Sequence, residues 1–222
     1  MSISVIAIDG PSASGKGTVA QRVASVLGFH YLDSGALYRL TALAAEKAGA
    51  DWADEGAVAA VAEALDVVFA GEAVTLGGED VSLAIRSEHI GVGASKVAAL
   101  PAVRTALLQR QRDFAQAPGL VGDGRDMGEV IFPQAQLKVF LTASAEARAE
   151  RRYKQLLGRG EVADLAAITA DLAARDERDR QRPVAPLRQL PDARLLDTTA
   201  MGIEEAVATV LGWWQEQSQA TA

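Results

Sequence analysis

The chain has 222 residues, of which 49% are hydrophobic and 23% are charged, so it is long enough for one well-filled α/β domain with appendages. It has no cysteine, which excludes disulfides, thiol catalysis and thiolate zinc sites, and its net charge of −7 argues against general binding to nucleic acid or acidic membranes. No apolar run approaches membrane-spanning length and no signal peptide is evident, so we expect a cytoplasmic protein without a membrane partner.

The first predicted strand leads into a glycine-bounded loop and then a helix. Residues 3–8 form a nearly unbroken apolar run, as expected for a strand covered on both faces. The segment GPSASGK from Gly10 to Lys16 fits the G-x-x-x-x-G-K pattern of a phosphate-binding loop. Residues 18–27 follow with helical apolar spacing, and Gly28 is a suitable stop. Helix N–H groups, the helix dipole and the Lys16 charge favour a polyphosphate there, whereas an ordinary Gly/Ser turn does not explain the flanks.

The residues after the lysine narrow the class of loop. Gly17 follows Lys16 directly, and the first hydroxyl comes one place later, at Thr18. This G-K-G-T form resembles the nucleoside monophosphate kinases. Because Gly17 has no hydroxyl that could ligate Mg²⁺, we expect the metal to be held largely through waters and assign it no direct protein ligand.

The character of the chain changes after the first three helices. Short β-like segments separated by glycine turns predict a small antiparallel insertion of two or three strands. Residues 57–93 thereby interrupt an otherwise βαβ pattern, and we interpret them as a subdomain. The elements predicted here are a strand at 31–32, helices at 36–48 and 52–65, and β segments at 65–69, 73–76 and 81–83.

Strands and helices alternate again in the remainder of the chain. This alternation predicts a parallel sheet with right-handed crossovers and a ligand at the carboxyl ends of the strands. Gly158 and Gly160 interrupt two long helices in a hinge-like way. The predicted elements are helices at 87–98, 101–116, 143–157, 163–180 and 203–217, and strands at 120–123, 137–141 and 194–197.

Two polar stretches follow predicted strands. The segment DSGALYR begins with Asp33 and Ser34, either of which can cap a helix, and ends with Arg39; the alternative is a capped helix with a solvated arginine. The segment GDGRD places Asp123, Arg125 and Asp126 at a strand end, where enzymes with phosphate-binding loops hold Mg²⁺ directly or through water. The alternative there is a charged turn with an Asp–Arg salt bridge.

A third polar stretch, RDERDRQR, ends a predicted helix. Residues three or four apart lie on the same face of a helix, so one face should carry Arg175, either Arg178 or Asp179, and Arg182. Taken alone, such a charged helix end is more often solvated than functional.

Six segments together carry a more specific resemblance. GPSASGKGT, LDSGALYR, GEDVS, ASKVAALPAVR, DGRDMG and RDERDRQRPVAPL occur in the order and spacing of bacterial-type cytidylate kinases, over nearly the whole chain. The resemblance implies a P-loop NTPase-type parallel sheet flanked by helices, with a small antiparallel β insertion in the monophosphate-binding region and a short lid. It implies one kinase domain over 1–222, with the core at 1–33, 94–145 and 190–222, the monophosphate-binding region at about 34–93 and the lid at about 146–180.

The resemblance also implies an activity and its site residues: transfer of the γ-phosphoryl group of MgATP to CMP or dCMP, with Mg²⁺ as the cofactor. Lys16, Arg125 and Arg175 are the implied catalytic residues. The implied ATP loop consists of Gly10, Pro11, Ser12, Ala13, Ser14, Gly15, Lys16, Gly17 and Thr18. The implied CMP residues are Ser34, Arg39, Arg125 and Arg175 at the phosphate, Asp179 at the ribose, and Ser95, Arg104, Asp126 and Arg182 at the cytosine.

The residue types agree with that chemistry. The attacking phosphate oxygen is largely ionised, so no general base is needed, and we expect His30 and His89 to be structural or surface residues. Ala13 stands where the family often has glycine, which makes the loop geometry there the weakest part of the match. We expect a monomer in which one or two lid arginines contact the transferring group, from among Arg148, Arg151, Arg152 and Arg159.

Two other classes of function remain open at this stage. One is a kinase for a different small acceptor, such as another monophosphate or shikimate. The other is a P-loop switch protein that uses a nucleotide for regulation. A switch has less need of a second anion pocket, so Arg39, Arg125 and Arg175 argue against it.

Overall fold

The structure is a computed structural model that describes residues 3–71 and 73–220. The strands are β1 (Ser4–Asp9), β2 (His30–Asp33), β3 (Val67–Ala70), β4 (Ala73–Leu76), β5 (Glu79–Asp80), β6 (Gly119–Gly124), β7 (Leu137–Thr142) and β8 (Arg194–Asp197). The helices are α1 (Lys16–Leu27), α2 (Ser34–Lys47), α3 (Glu55–Glu63), α4 (Glu88–Val97), α5 (Pro101–Arg112), α6 (Ala145–Gly158), α7 (Leu165–Gln181) and α8 (Ile203–Ala220).

The chain divides into two compact units. The larger unit contains the residues up to Leu32 and those from Phe114 onward, and the smaller unit is Asp33–Asp113. The sequence-based core segment of 94–145 therefore begins within the smaller unit, which includes α4 and α5. The assignment of a core, a monophosphate-binding region and a lid remains a functional prediction.

The larger unit is built on a five-stranded parallel sheet in the order β2-β6-β1-β7-β8. Apolar side chains of β1, β6 and β7 pack with α1 and α8, and Ile6, Ile8 and Leu141 are fully buried among them. In the register of the two central strands, Asp9 lies opposite Gly124. The segments that follow β1 and β6 consequently leave the sheet side by side, and this confirms the predicted fold class.

The smaller unit combines a helical layer with a second sheet. Helix α2 packs against α4, and α3 packs against α5. Strands β3, β4 and β5 form an antiparallel sheet in chain order, as the turn pattern predicts. Its third strand lies at Glu79–Asp80 rather than at 81–83.

Several predicted boundaries are wrong by a few residues. Helix α3 begins at Glu55 rather than at 52, because the Asp54 carboxylate accepts the Ala57 N–H and caps it. Helix α5 ends at Arg112 rather than at 116. A π-helical turn at Met127–Ile131 was not predicted at all, since a single turn has too few residues to show a periodicity. In the part of the chain that the structure describes, no helix is long and apolar enough to cross a membrane.

Candidate active site

The predicted phosphate-binding loop connects the end of β1 to the start of α1. A Cβ at Gly10 would lie 1.9 Å from the Leu141 carbonyl oxygen, so the backbone of β7 leaves no room for a side chain there. Gly15 adopts a φ of 93° directly before Lys16, the first residue of α1. The Lys16 ammonium donates to the Pro11 carbonyl at 3.4 Å. The loop thus folds back over the helix N-terminus, where backbone N–H groups and the dipole favour an anion.

Ala13 is the unusual residue of this loop. Its φ of 58° lies in the left-handed region that favours glycine. The sequence identified this position as a departure from the family's glycine, and the structure shows that alanine retains the backbone conformation that glycine adopts easily.

A pocket of about 470 Å³ lies beside the loop in the larger unit. Arg151 forms part of its wall, and its guanidinium donates to the Ser14 carbonyl and to the Thr198 hydroxyl, both at 3.0 Å. Thr198 and its neighbours were not predicted from the sequence, although their position after β8, at the carboxyl end of the sheet, was a usable signal. Besides loop residues 13–18, the pocket is lined by Val19, Arg151, Arg152, Gln155, Thr198, Met201, Gly202, Ile203 and Ala206.

Asp123 is a buried carboxylate beside the phosphate-binding loop. It is 3% exposed, it accepts a hydrogen bond from the Tyr31 hydroxyl at 3.0 Å, and a Cβ at Gly17 would lie 3.1 Å from its Oδ2. Gly17 therefore leaves room for this carboxylate beside the loop. No cluster of three or more potential metal-ligating side chains occurs among residues 3–71 and 73–220. One carboxylate beside a phosphate-binding loop fits Mg²⁺ held by phosphates and waters.

Arg125 links the strand-end segment to α7 and to the loop. Its Nε donates to Asp179 Oδ2 at 2.7 Å, and its Nη2 donates to the Ser12 hydroxyl at 2.8 Å. Burial alone would lower the pKa of Arg125, but the Asp179 charge and hydrogen bond outweigh it and raise that pKa. Burial would likewise raise the pKa of Asp179, yet Arg125 keeps it below its ordinary value. Both groups are therefore charged at neutral pH.

Asp126 and the end of α7 form the second part of this charged cluster. Asp126 is 4% exposed, and its Oδ1 lies 3.7 Å from Arg182 Nη2. On the face of α7 predicted from the spacing, Asp179 is buried and Arg178 is only half-buried, which resolves the alternative between them. The larger unit therefore brings together Arg125, Asp126, Asp179 and Arg182.

The predicted CMP residues of the smaller unit lie on three helices. Ser34 is the first residue of α2, and Arg39 on the same helix donates to the Ile85 carbonyl at 2.7 Å. Ser95 on α4 and Arg104 on α5 are 9% and 7% exposed. The Arg104 guanidinium carbon is 5.9 Å from the centroid of the Tyr38 ring.

The four arginines predicted near the lid have different environments. Arg148 is buried, donates to the Ser12 carbonyl at 3.2 Å and pairs with Asp176 at 2.6 Å, so it supports the loop from within the protein. Burial lowers the pKa of Arg152, and the nearby positive charges of Arg159 and Arg175 lower it further. Positive charge therefore accumulates around Arg152, in the wall of the pocket.

Both histidines lie at the surface, as expected from the sequence. The His30 ring nitrogen is 3.0 Å from the Ala117 carbonyl oxygen, and the His89 ring nitrogen is 2.6 Å from a Glu46 carboxylate oxygen.

A phosphate-binding loop after the central strand of a parallel sheet, a strand-end carboxylate and concentrated arginines are the features of a P-loop kinase. Comparison with known proteins gives the family: the profile described as "Cytidylate kinase" matches residues 6–216. A protein of that name from Chromobacterium violaceum is 65% identical over 217 residues, covering 98% of each chain. A second, from Neisseria meningitidis, is 61% identical over 212 residues, covering 96% of this chain and 97% of its own.

The chain belongs to the cytidylate kinase family. It is therefore an enzyme of the nucleoside monophosphate kinase class, and the alternative of a P-loop switch protein is excluded.

Proposed function

We propose that this enzyme transfers the γ-phosphoryl group of ATP to CMP and dCMP, forming ADP and CDP or dCDP. The observation that supports this proposal best is the buried charged cluster of Arg125, Asp126, Asp179 and Arg182 in the same unit as the phosphate-binding loop. A nucleoside monophosphate offers an anionic phosphate, ribose hydroxyls and a polar base edge, and this cluster contains a partner for each of them.

The donor side consists of the loop and the pocket beside it. Backbone N–H groups at the start of α1 and the Lys16 ammonium bind the β- and γ-phosphates, and the pocket provides space for the nucleoside. Mg²⁺, when bound, neutralises charge on these phosphates, and Asp123 would hold it through water. Catalysis then depends on positioning and charge stabilisation, in which Arg152 and its positive neighbours also stabilise the transferring group.

On the acceptor side, we assign the phosphate of CMP to Ser34, Arg39, Arg125 and Arg175. The Asp179 carboxylate accepts from the ribose hydroxyls, and Asp126 accepts from the exocyclic amine of cytosine. Ser95, Arg104 and Arg182 satisfy the remaining polar atoms of the base. The phosphate oxygen that attacks is already ionised, so no side chain needs to remove a proton.

A coupled assay for ADP release, with ATP and a panel of acceptors, tests this proposal. The panel contains CMP, dCMP, UMP, AMP, GMP and shikimate, and we expect kcat/KM for CMP and dCMP to exceed that for the other acceptors by about 100-fold, as for a site built around specific hydrogen bonds. Lys16→Ala is the control variant, and it should retain the fold but lose most of the turnover. Preference for another acceptor would contradict the proposal.

A further inference from the structure

Asp9 is a buried carboxylate that the proposed reaction does not use. It is the last residue of β1 and directly precedes the phosphate-binding loop. Its two oxygens accept hydrogen bonds from consecutive backbone N–H groups, those of Met127 at 2.8 Å and of Gly128 at 2.9 Å. These two residues begin the π-helical turn that follows Arg125 and Asp126. Asp9 therefore holds the N-terminus of a turn that directly follows two residues assigned to CMP.

The same turn is also fixed by packing. A Cβ at Gly128 would lie 3.1 Å from Lys138 Cδ and 3.6 Å from the Ala7 side chain, so the turn lies closely against β1 and β7. The Asp126 carbonyl accepts the Val130 N–H at 2.9 Å, so Asp126 is the N-cap residue of the turn. Any displacement of the turn would consequently displace the Asp126 carboxylate.

Asp9 is not an obvious source of stability. Burial raises its pKa from the ordinary 3.8 to about 6, although the hydrogen bonds from Gly128 and Met127 lower it; the Asp126 charge raises it and the Arg125 charge lowers it. Because the folded-state pKa is the higher one, the stability that Asp9 contributes falls as the pH rises between 3.8 and about 6. At neutral pH the ionised group is therefore less favourable to the fold than a neutral group would be. A buried carboxylate that is ionised at a cost to the stability of the fold is typical of functional sites.

We propose that Asp9 is a positioning residue for the acceptor. By holding the N–H groups of Met127 and Gly128, it sets the position of Arg125 and Asp126 relative to the loop that begins at the next residue. This inference rests on the proposed CMP kinase activity. It predicts that altering Asp9 affects the acceptor much more than the donor, although Asp9 is adjacent to the donor loop in sequence.

The test is Asp9→Asn, which keeps the side-chain shape but places an NH₂ group against a backbone N–H donor. We expect KM for CMP to rise about 10- to 100-fold, because small displacements of a positioning group have effects of that size. The preference for CMP over UMP should fall as well, while KM for ATP changes less than about twofold. Ile8→Val is the matched control, since Ile8 is fully buried on the same strand and its side chain has no polar atom that could hold the turn. It should leave both KM values within the same twofold limit.

The outcomes separate this inference from the proposed function. A wild-type enzyme that does not use CMP overturns the proposed function and the inference with it. An active wild type whose Asp9→Asn variant loses affinity for ATP and CMP equally, or for neither, overturns the inference alone. If Asp9→Asn does not fold, Asp9→Glu decides, because it keeps both acceptor oxygens but is one methylene longer, and a CMP-selective loss supports the inference. Failure of both variants to fold assigns Asp9 to stability and overturns it.

Discussion

At the scale of single residues, the side chains that we propose to bind the acceptor are held together by charge pairs. Arg125 bonds to Asp179 and to Ser12, and Asp126 lies near Arg182. Each of these side chains is largely buried, so none is satisfied mainly by bulk water. A substrate that replaces one partner must therefore offer a group of matching charge or hydrogen-bonding type, and we propose that this requirement gives the site its specificity.

Asp126→Asn tests base selection. In the proposed complex the carboxylate accepts from the cytosine amine but repels the carbonyl that uracil presents there, whereas an amide can pair with either base. We expect the ratio of kcat/KM for CMP over UMP to fall by about 100-fold, less than the roughly 10⁴-fold that the strictest sites reach, because water can bridge part of the gap.

The matched control for Asp126→Asn is Glu129→Gln in the π-helical turn. Glu129 is half-buried and pairs with the exposed Arg188. Because this pair is separate from the Asp126–Arg182 pair, Glu129→Gln should leave the CMP-to-UMP ratio of kcat/KM unaltered. An unchanged ratio in Asp126→Asn itself would mean that the base is recognised elsewhere.

Ala13→Gly tests the strain in the loop. An L residue in the left-handed region costs about 1–2 kcal/mol, which glycine avoids. Glycine also raises the conformational entropy of the unfolded chain, and this offsets about 0.4–1 kcal/mol of that gain in stability. With Ala13 at φ 58°, we expect the variant to be more stable by up to about 1 kcal/mol in urea unfolding, with unchanged kcat.

Gly15→Ala provides the opposite control for Ala13→Gly, because it places a side chain at a φ of 93°. It should destabilise the protein and raise KM for ATP. A clear loss of stability in Ala13→Gly would show that the Ala13 methyl group, which packs near α6 and α7, matters more than the backbone strain.

At the scale of secondary-structure elements, α6 and α7 form a pair with a core of their own. Ala149 and Leu156 of α6 pack against Ile168 and Leu172 of α7, and all four are buried. The Arg148–Asp176 ion pair joins the same two helices, and Arg148 also reaches the loop through the Ser12 carbonyl. The Arg148–Asp176 ion pair therefore connects α7, which carries Arg175 and Asp179, to the predicted phosphate-binding loop.

Asp176→Asn should be strongly destabilising, because it leaves Arg148 as a buried charge without its counter-ion. The two side chains are 8% and 5% exposed, and breaking such a buried pair costs about 3–5 kcal/mol. The exposed Lys154–Glu150 pair on α6 is the control, since Glu150→Gln should cost no more than about 0.5 kcal/mol. Both changes in the free energy of unfolding are measured by urea unfolding. Equal losses of stability in the two variants would show that burial does not determine how much the Arg148–Asp176 pair contributes.

At the scale of the whole molecule, the predicted donor residues all lie in the larger unit, whereas the predicted acceptor residues are divided between the two compact units. The loop and its pocket belong to the larger unit, whereas Ser34, Arg39, Ser95 and Arg104 belong to the smaller one. The antiparallel sheet β3-β4-β5 lies in the smaller unit, between these residues in sequence. We therefore expect the sheet to serve the acceptor.

Replacement of residues 67–80 by a short Gly/Ser linker tests this role. We expect KM for CMP to rise at least about tenfold, equivalent to about 1.4 kcal/mol of lost binding, with KM for ATP nearly constant. The KM for ATP is the internal control, since the predicted ATP loop and its pocket lie in the larger unit, and circular dichroism checks that the variant is folded. Equal losses for both substrates in a folded variant would contradict this division of labour.

The sequence by itself determined the features that depend on neighbouring residues. Gly28 ends α1 and the loop from Gly10 to Lys16 connects a strand to a helix, both as predicted, and Asp33 caps α2, which is one of the two caps that the sequence predicts. The alternation of strands and helices also gave the parallel sheet, because a crossover connection of that length permits few other arrangements.

Only the tertiary structure decided which distant groups meet. Asp9 bonds to Met127 and Gly128, Arg125 pairs with Asp179 rather than with a carboxylate of its own turn, and Arg148, one of the candidate lid arginines, is buried against Asp176. No local sequence pattern encodes such pairs. They form only when packing removes both partners from water, so that each group can be stabilised only by bonding to the other.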